Sequence, residues 1–343
     1  MLVGAERWPP YERPHLSKGY LSGAVPRAKL ALRPAAQYEQ LGVELRLGRR
    51  VIDVGLHDRV ARTESGETIP WDLLCVAIGS DARRLDGGLG LRELDDADAL
   101  RSRLGAGGTI GIMGAGFIGC EVAAVARLRG LEVRVDETLG QPLLRVLGPD
   151  LGGYLARVHL AHGVDLRLAS STEQADLVAI GSVPRVIEGL ESDAGILVDE
   201  SGRTSVPGVF AAGDGTRFFH SLYGQRIRVE HFQTAQRQGF AVGRTMAGTP
   251  TRYTEVPWFW SEQYDLNLQY AGAGLPWDEI VVRAELGRPP FSVFYLAGAT
   301  LVAAAGVNDH HTIARARRVM EAGASPRRDQ LEDPGFDLRR ALA

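Results

Sequence analysis

Three glycines and one acid have the types and spacing of a nucleotide-phosphate site. Gly114, Gly116 and Gly119 follow a short apolar run, and Glu137 comes about 20 residues later. Such a turn lets the backbone approach a pyrophosphate, and the helix that follows offers free N–H groups. Glu137 would accept both hydroxyls of a ribose and repel a 2′-phosphate, and no arginine follows it at once. The spacing therefore predicts a dinucleotide site that prefers NADH to NADPH.

Two further residues are candidates for chemistry. Glu121 lies on the first turn of a helix that begins with Phe117 and Ile118. There it either faces a nicotinamide or a flavin, or only complements the helix dipole. Lys18 and Lys29 are the only lysines among 39 basic residues. Because lysine is a compact, tunable charge and arginine a fixed fork, a lysine in such a chain is a candidate for a chemical role.

The elements that hold the glycines form a βαβ pattern. It predicts a strand over 109–113, a helix over about 117–129, a C-terminal stop at Gly130 and a strand over 131–136. Elsewhere, short β-rich runs alternate with helical patterns. The sequence therefore favours an α/β fold with mostly parallel sheets.

The C-terminal region shows a different pattern. Apolar runs at 291–296 and 300–307 predict a hairpin. Asn308 or Asp309 would then cap a helix that ends near residue 321. The tail after Gly323 is rich in Pro, Arg and Asp, and we expect it to be loose.

Composition excludes several classes of protein. The 343 residues are 45% hydrophobic and 24% charged with a net charge of −3, which is typical of a globular protein of two or three domains without a basic surplus for nucleic acid. Apolar runs such as 73–78 are far shorter than the roughly 18 residues of a membrane span, and no signal peptide opens the chain. Cys75 and Cys120 form no CxxC pair, and we expect both to be small core residues. The sequence predicts a cytoplasmic protein with no membrane partner and no metal site.

Six segments besides the βαβ unit occur in the order typical of one family. They are 11–18 (YERPHLSK), 73–79 (LLCVAIG), 176–181 (DLVAIG), 204–214 (TSVPGVFAAGD), 230–239 (EHFQTAQRQG) and 258–264 (WFWSEQY). As an ordered set they resemble the FAD-dependent, NADH-using ferredoxin and rubredoxin reductases of the pyridine nucleotide-disulfide oxidoreductase superfamily. These enzymes supply electrons to bacterial oxygenases and P450s.

The resemblance implies two Rossmann-like, doubly wound nucleotide-binding domains followed by a C-terminal α/β domain. The FAD-binding domain would be discontinuous, with residues 1–97 and 208–247, the NADH-binding domain would be 98–207, and the C-terminal reductase or interface domain 248–343. The family's first FAD strand, its GxGxxG turn and its first helix have no counterpart before Leu2. We therefore expect either a start that is internal to a longer gene or a truncated homologue that binds FAD weakly or not at all.

The resemblance also implies roles for single residues. Lys18 and Glu121 would form a catalytic pair at the flavin, and Arg13 would lie beside the isoalloxazine. Glu6 would bind the adenosine ribose, and Asp214 would bind the ribityl chain. Further cofactor contacts are implied at Ala77, Gly79, Gly181, Gly213 and Phe232, the last standing where the family usually has tryptophan.

Two further sets of candidate residues have more than one interpretation. Trp258 and Trp260 are compatible with core packing, with a homodimer contact or, by the resemblance, with a place near the flavin. Arg315, Arg317 and Arg318 would either meet an acidic ferredoxin or form a solvated helix face.

The expected activity is electron transfer from NADH through FAD to a small iron–sulfur protein, a ferredoxin or rubredoxin that serves an oxygenase or P450. Two alternatives remain. One is a homologue without FAD that binds NADH and has no activity. The other is a related NADH-dependent flavoenzyme that reduces a small molecule or oxygen.

Overall fold

The computed structural model describes residues 1–85, 87–172 and 174–342. The strands in this part of the chain are β1 (Leu2–Gly4), β2 (Leu45–Leu47), β3 (Val51–Gly55), β4 (Val60–Thr63), β5 (Thr68–Pro70), β6 (Leu74–Val76), β7 (Ser80–Ala82), β8 (Thr109–Met113), β9 (Glu132–Glu137), β10 (Asp165–Leu168), β11 (Leu177–Val178), β12 (Ser182–Pro184), β13 (Ile196–Val198), β14 (Val209–Ala211), β15 (Thr216–His220), β16 (Gln225–Ile227), β17 (Trp258–Gln263), β18 (Leu266–Gly272), β19 (Glu279–Arg283), β20 (Phe291–Ala297) and β21 (Thr300–Val307). The helices are α1 (Gly19–Ser22), α2 (Ala35–Gln40), α3 (Leu94–Gly105), α4 (Phe117–Leu128), α5 (Leu144–Ala161), α6 (Phe232–Met246), α7 (His310–Glu321) and α8 (Arg328–Glu332). Three 3₁₀ helices cover Arg13–Ser17, Arg27–Lys29 and Leu338–Leu342.

The middle of the chain forms one continuous parallel sheet in the order β10-β9-β8-β11. Ile110 and Ile112 of β8 are fully buried, and most of α4 packs on the sheet. The predicted βαβ unit is confirmed, with β9 shifted by one residue and Gly130 at φ 82° just after α4. A glycine tolerates that left-handed conformation without strain, so the helix ends there.

The N-terminal region is built from several small sheets rather than one. Parallel pairs form between β1 and β2 and between β6 and β14, while β7 pairs with β12 in antiparallel fashion. Antiparallel strands β3, β4 and β5 form a meander, and β13, β15 and β16 form a further sheet. Because β14 pairs with β6, the chain returns after residue 208 to its N-terminal part. Strands β6 and β14 therefore end at the same edge.

The C-terminal region is a five-stranded antiparallel sheet in the order β17-β18-β21-β20-β19. The predicted hairpin is confirmed as β20 and β21, and α7 packs against the sheet. Asp309 is the N-cap of α7, and its side chain accepts a hydrogen bond from the Thr312 N–H. The α/β class expected from the sequence is confirmed. The expectation of mostly parallel sheets is wrong, because the C-terminal sheet and the β3-β4-β5 meander are antiparallel throughout.

The expectation of a loose tail after Gly323 is wrong. Leu331 and Leu338 are almost completely buried in the C-terminal core. The buried Arg283 guanidinium donates to backbone carbonyls at 330, 331 and 336. A buried arginine requires acceptors, and the tail supplies them, which the local composition did not reveal.

The two cysteines differ from each other. Cys120 is buried in α4, as predicted, whereas Cys75 is exposed. The prediction for Cys75 is wrong because this residue lines an open cleft instead of packing in the core. No helix in the described ranges is long and apolar enough to cross a membrane.

Candidate functional site

A cleft of about 470 Å³ lies where the three regions meet. Strands β6 and β14 are parallel, so the residues after them converge at one edge of the fold. The helix α4 and the strand β17 close the cleft from the other side. The predicted site residues that line it are Arg13, Lys18, Ala77, Gly79, Phe117, Ile118, Glu121, Gly213, Asp214 and Phe232.

The other predicted residues do not line this cleft. They are Glu6, Gly114, Gly116, Gly119, Glu137 and Gly181. Gly114 and Gly116 lie in the loop between β8 and α4, Gly119 lies on the first turn of α4, and Glu137 ends β9 beside this glycine loop. Phe117, the first residue of α4, joins the glycine loop to the cleft. A long ligand could therefore reach from the loop into the cleft along one helix N-terminus.

Lys18 and Glu121 form a buried ion pair in the cleft wall. The distance from Lys18 Nζ to Glu121 Oε2 is 2.7 Å, and the side chains are 9% and 3% exposed. Lys18 follows the first 3₁₀ helix, and Glu121 lies on α4, so the pair joins the N-terminal region to the parallel sheet. Attraction between charges is strong in such a poorly solvated place.

Two serines complete the surroundings of Glu121. Ser17 Oγ donates to Oε2, and Ser261 Oγ donates to Oε1 at 2.7 Å. Sequence reasoning missed both residues. Ser17 stood beside Lys18 in a matched segment, whereas Ser261 is 140 residues away from Glu121 in the sequence, and no local signal connects them.

The glycine loop is built by close backbone contacts. Gly114 has φ 96°, and a Cβ on it would lie 2.5 Å from the Ala179 carbonyl oxygen. A Cβ on Gly119 would lie 2.0 Å from the Gly114 carbonyl oxygen, so this glycine lets the helix start close to its own loop. Gly116 is the N-cap of α4 and meets nothing closer than 3.9 Å. Since no side chain caps α4, its first N–H groups are available to a phosphate.

The carboxylate of Glu137 is held by the same loop. Its Oε2 accepts from the Ala115 N–H at 2.8 Å, and its Oε1 accepts from the Leu139 N–H at 2.9 Å. These bonds place the acid at the carboxyl end of β9, next to the helix N-terminus. The arrangement suits ribose hydroxyls and disfavours an added phosphate, because that group would meet a fixed negative charge.

Glu6 lies in a side-chain cluster of its own. Tyr11 donates to Glu6 Oε2 at 2.6 Å, and the Arg13 guanidinium pairs with Glu6 Oε1. The Tyr11 hydroxyl also accepts the N–H of Leu94, the first residue of α3. Burial raises the pKa of Tyr11, so its hydroxyl stays protonated and donates.

Asp214 is paired with a residue that the sequence analysis did not identify. Arg92 Nη2 donates to Asp214 Oδ2 at 2.7 Å, and both residues line the cleft. Arg13 Nη1 in turn donates to the Arg92 carbonyl. Arg92 carried no sequence signal because it follows no recognisable motif and reaches Asp214 across 122 positions.

Aromatic rings and polar atoms form the rest of the wall. Phe259 contacts Phe117 edge to face at 4.5 Å and His231 at 4.4 Å, and Trp260 lines the same cleft. Among the described residues, His231 Nδ1 and Gln233 Oε1 are buried side-chain atoms without a hydrogen-bond partner. Apolar faces with a few unsatisfied polar atoms suit a flat heteroaromatic ring, so the residues fit an isoalloxazine.

The structure shows where the two tryptophans and the arginines of α7 lie and which groups they contact. Trp258 and Trp260 are both half-buried, with Trp258 against the C-terminal core and Trp260 at the cleft. Arg317 lies 3.4 Å from Glu321, and Arg315 lies 4.0 Å from Asp337. Part of this arginine charge is therefore compensated within the chain, and docking of a ferredoxin there stays a prediction.

The chain belongs to the pyridine nucleotide-disulphide oxidoreductase family, whose model matches residues 1–177 and 174–239. A second model, the reductase C-terminal domain, matches residues 258–342. The family resemblance stated from the sequence is confirmed, and within this family the combination is that of FAD-dependent ferredoxin reductases. Family membership also supports FAD and NAD(H) as the cofactor pair.

Three similar proteins are reductases of electron-transfer systems. The ferredoxin–NAD(+) reductase component of the anthranilate 1,2-dioxygenase system of Burkholderia cepacia is 36% identical, and the alignment covers 100% of this chain and 92% of that protein. The ferredoxin reductase for the CYP199A2 system of Rhodopseudomonas palustris is 31% identical with a TM-score of 0.94, covering 100% and 93%. The covalent putidaredoxin reductase–putidaredoxin complex contains a chain that is 29% identical, with a TM-score of 0.92 and coverage of 99% and 91%.

Proposed function

We propose that this chain is an NADH-dependent FAD reductase that passes electrons to a small iron–sulfur protein of the ferredoxin class. The observation that carries the proposal is the buried Lys18–Glu121 pair. It lies in a cleft reached from the glycine loop on one side and from Asp214 on the other. A buried ion pair is weak evidence for stability by itself, so its place in a cofactor-sized cleft favours a chemical role.

The residues of this chain would bind the two cofactors, orient them and shield them from water. FAD, when bound, accepts a hydride and gives up electrons one at a time. The N-terminus of α4 and Glu137 would hold the pyrophosphate and ribose of NADH. Asp214 and Arg92 would orient the ribityl chain, Arg13 would lie near the ring, and Glu6 would bind the adenosine ribose.

The Lys18–Glu121 pair would act at the reacting end of both cofactors. Lys18 Nζ holds a positive charge beside the cleft, where it favours electron-rich forms of a neighbouring ring. The aromatic wall formed by Phe117, Phe232 and Phe259 would exclude water from the nicotinamide.

The proposed division into domains follows the same cofactors. Residues 1–97 and 208–247 would bind FAD, residues 98–207 would bind NADH, and residues from 248 would form the interface domain, whose assigned end at 343 lies outside the described residues. The return of β14 to β6 supports the discontinuous first unit. Location in the cytoplasm and assembly as a homodimer stay predictions.

The relatives support a ferredoxin as the electron acceptor. One relative is a ferredoxin–NAD(+) reductase component of a dioxygenase system, and a structural neighbour was captured with putidaredoxin.

Ferredoxin-dependent reduction of cytochrome c by NADH tests the proposal. The FAD-loaded chain should reduce cytochrome c at least about tenfold faster when a bacterial [2Fe–2S] ferredoxin is added. Turnover with dyes or oxygen but no acceleration by ferredoxin would contradict it in favour of a small-molecule reductase. A colourless protein that binds NADH without turnover would instead support a binding protein.

A further inference from the structure

A line of buried polar side chains leads away from Glu121. Beyond Ser261 it continues to Gln263, His159 and Tyr264 through distances of 3.1, 3.0 and 3.1 Å. Ser261, Gln263 and His159 are 0%, 1% and 2% exposed. Such groups are costly to bury unless each is satisfied, so the row is an organised network.

The Glu121 carboxylate at one end and the Tyr264 hydroxyl at the other fix which group donates in each hydrogen bond of this row. A carboxylate only accepts, so Ser261 gives its single proton to Glu121 and must accept from the Gln263 amide nitrogen. The Gln263 oxygen then faces His159 Nε2, which must carry a proton. Burial lowers the pKa of His159, so its ring is neutral and Nδ1 is an acceptor.

Tyr264 is held at the outer end of the row. Burial raises the pKa of Tyr264, so its hydroxyl remains protonated and donates to His159 Nδ1. Its ring stacks on His162 with centroids 3.6 Å apart and planes 11° apart. Tyr264 has φ 57°, a conformation that costs a non-glycine residue free energy and persists only where the surroundings impose it.

We propose that Tyr264, His159 and Gln263 are positioning residues for Glu121. Each donor in the row points toward the Glu121 carboxylate, so the row fixes the Ser261 proton on Oε1 and leaves Oε2 to Ser17 and Lys18. The donors come from β17, from the turn after it and from α5, so the C-terminal sheet and α5 together set the geometry of a pair in the cleft. Bonds aligned in one direction polarise one another, which strengthens the last bond.

The inference rests on the proposed function, because the pair is assigned to the reacting cofactors there. The position of Glu121 would then set how fast NADH reduces the flavin. The binding of NADH depends instead on the glycine loop and Glu137. Loss of the row should therefore lower the rate of reduction and leave NADH affinity unchanged.

Tyr264→Phe and Gln263→Leu test the hydrogen-bonded row at its outer end and at its centre. Tyr264→Phe removes one hydroxyl and keeps the stacked ring, while Gln263→Leu removes the central link. At saturating NADH without oxygen, we expect flavin reduction to slow about threefold and about tenfold, with the NADH dissociation constant within about twofold of wild type.

Tyr295→Phe is the matched control. The Tyr295 hydroxyl also joins the C-terminal sheet to α5, by donating to the Leu147 carbonyl at 2.8 Å, and it takes no part in the row. If Tyr295→Phe slows reduction as much as Tyr264→Phe does, the effect is general loosening and the proposal is wrong. Wild-type rates in both test variants would also overturn it.

A second readout needs no flavin. ¹⁵N imidazole resonances, assigned with His159→Asn, should show His159 protonated at Nε2, and Tyr264→Phe should shift its Nδ1 resonance. A proton on Nδ1 in the wild-type chain would contradict the direction of the row. If the protein takes up no FAD, the proposed function fails, and the nitrogen resonances still decide whether the row exists.

Discussion

The glycine loop and the opposite wall of the cleft hold their acids in different ways. In the loop, Glu137 accepts backbone N–H groups from Ala115 and Leu139, which are its neighbours in one βαβ unit. In the wall, Glu121 is held by the ammonium group of Lys18, and Asp214 is held by the guanidinium group of Arg92. The loop is therefore a backbone-built site, and the wall is a side-chain-built site.

The difference has physical consequences. Backbone groups are positioned by the strand and helix that carry them. The loop therefore depends on close packing, and the groups that bind its acid are backbone N–H groups, which do not titrate. Side-chain pairs are brought together by tertiary folding, so the wall depends on charge and on residues far apart in the sequence. Substitutions in the loop should therefore act by steric collision, and substitutions in the wall should act by the loss of a charge.

The largest effect is expected for Lys18→Met, which tests the side-chain-built wall. Removing one partner of a buried pair leaves Glu121 without its cation, at a cost of about 3–5 kcal/mol in the free energy of unfolding. Denaturant unfolding of the chain measures this cost. Lys29→Met is the matched control, since Lys29 is exposed, and it should change stability by less than about 0.5 kcal/mol. Equal losses of unfolding free energy in the two variants would contradict the special role of the buried Lys18.

A pH series of the unfolding free energy sharpens the comparison further. Burial lowers the pKa of His231 in the wall from 6.5 to about 4. The folded chain then binds fewer protons than the unfolded chain, so stability is full above about pH 6.5 and falls as the pH drops toward 4. Because the ring is partly exposed, we expect a loss of about 2 kcal/mol from this residue.

His231→Phe isolates that contribution. The substitution keeps an aromatic ring against Phe259 and removes the titration, so the variant should lose less stability than wild type between pH 6.5 and 4. His311→Phe, at an exposed histidine, should follow the wild-type curve. If the unfolding free energies of His231→Phe and wild type depend on pH in the same way, the prediction for His231 is wrong.

Gly119→Ala tests the backbone-built loop. The new Cβ would collide with the Gly114 carbonyl, which should cost about 1–3 kcal/mol and weaken NADH binding about tenfold. Gly105→Ala is the control, because it also lies in a helix but meets nothing within 4 Å. Fluorescence titration with NADH measures the affinities. Unchanged NADH affinity in Gly119→Ala would contradict the assignment of the loop.

The smallest effect concerns the choice of cofactor. Glu137→Arg should lower the preference for NADH over NADPH by about tenfold, because it replaces a fixed negative charge with a phosphate acceptor. Steady-state kinetics with each cofactor give the ratio. Glu132→Arg reverses an exposed charge at the start of the same strand and should leave the ratio unchanged. Equal preference before and after Glu137→Arg would count against the role of this acid.

The same contrast explains what the sequence could predict. The glycine loop, α4 and the acid at the end of β9 follow from local spacing. The hairpin β20–β21 and the Asp309 cap of α7 follow from local patterns. Arg92 lies 122 positions from Asp214, Ser261 lies 140 positions from Glu121, and Tyr264 lies 105 positions from His159, so no spacing rule reveals these contacts. The packed tail was missed for the same reason, since its acceptors serve Arg283 on β19.

The visible absorption spectrum of the purified chain, after reconstitution with FAD, tests the central claim most directly. That claim places a flavin and a nicotinamide together in one cleft around Lys18 and Glu121. We predict flavin bands that bleach when NADH is added without oxygen. A chain that retains no flavin, or a bound flavin that NADH does not bleach, would contradict the account.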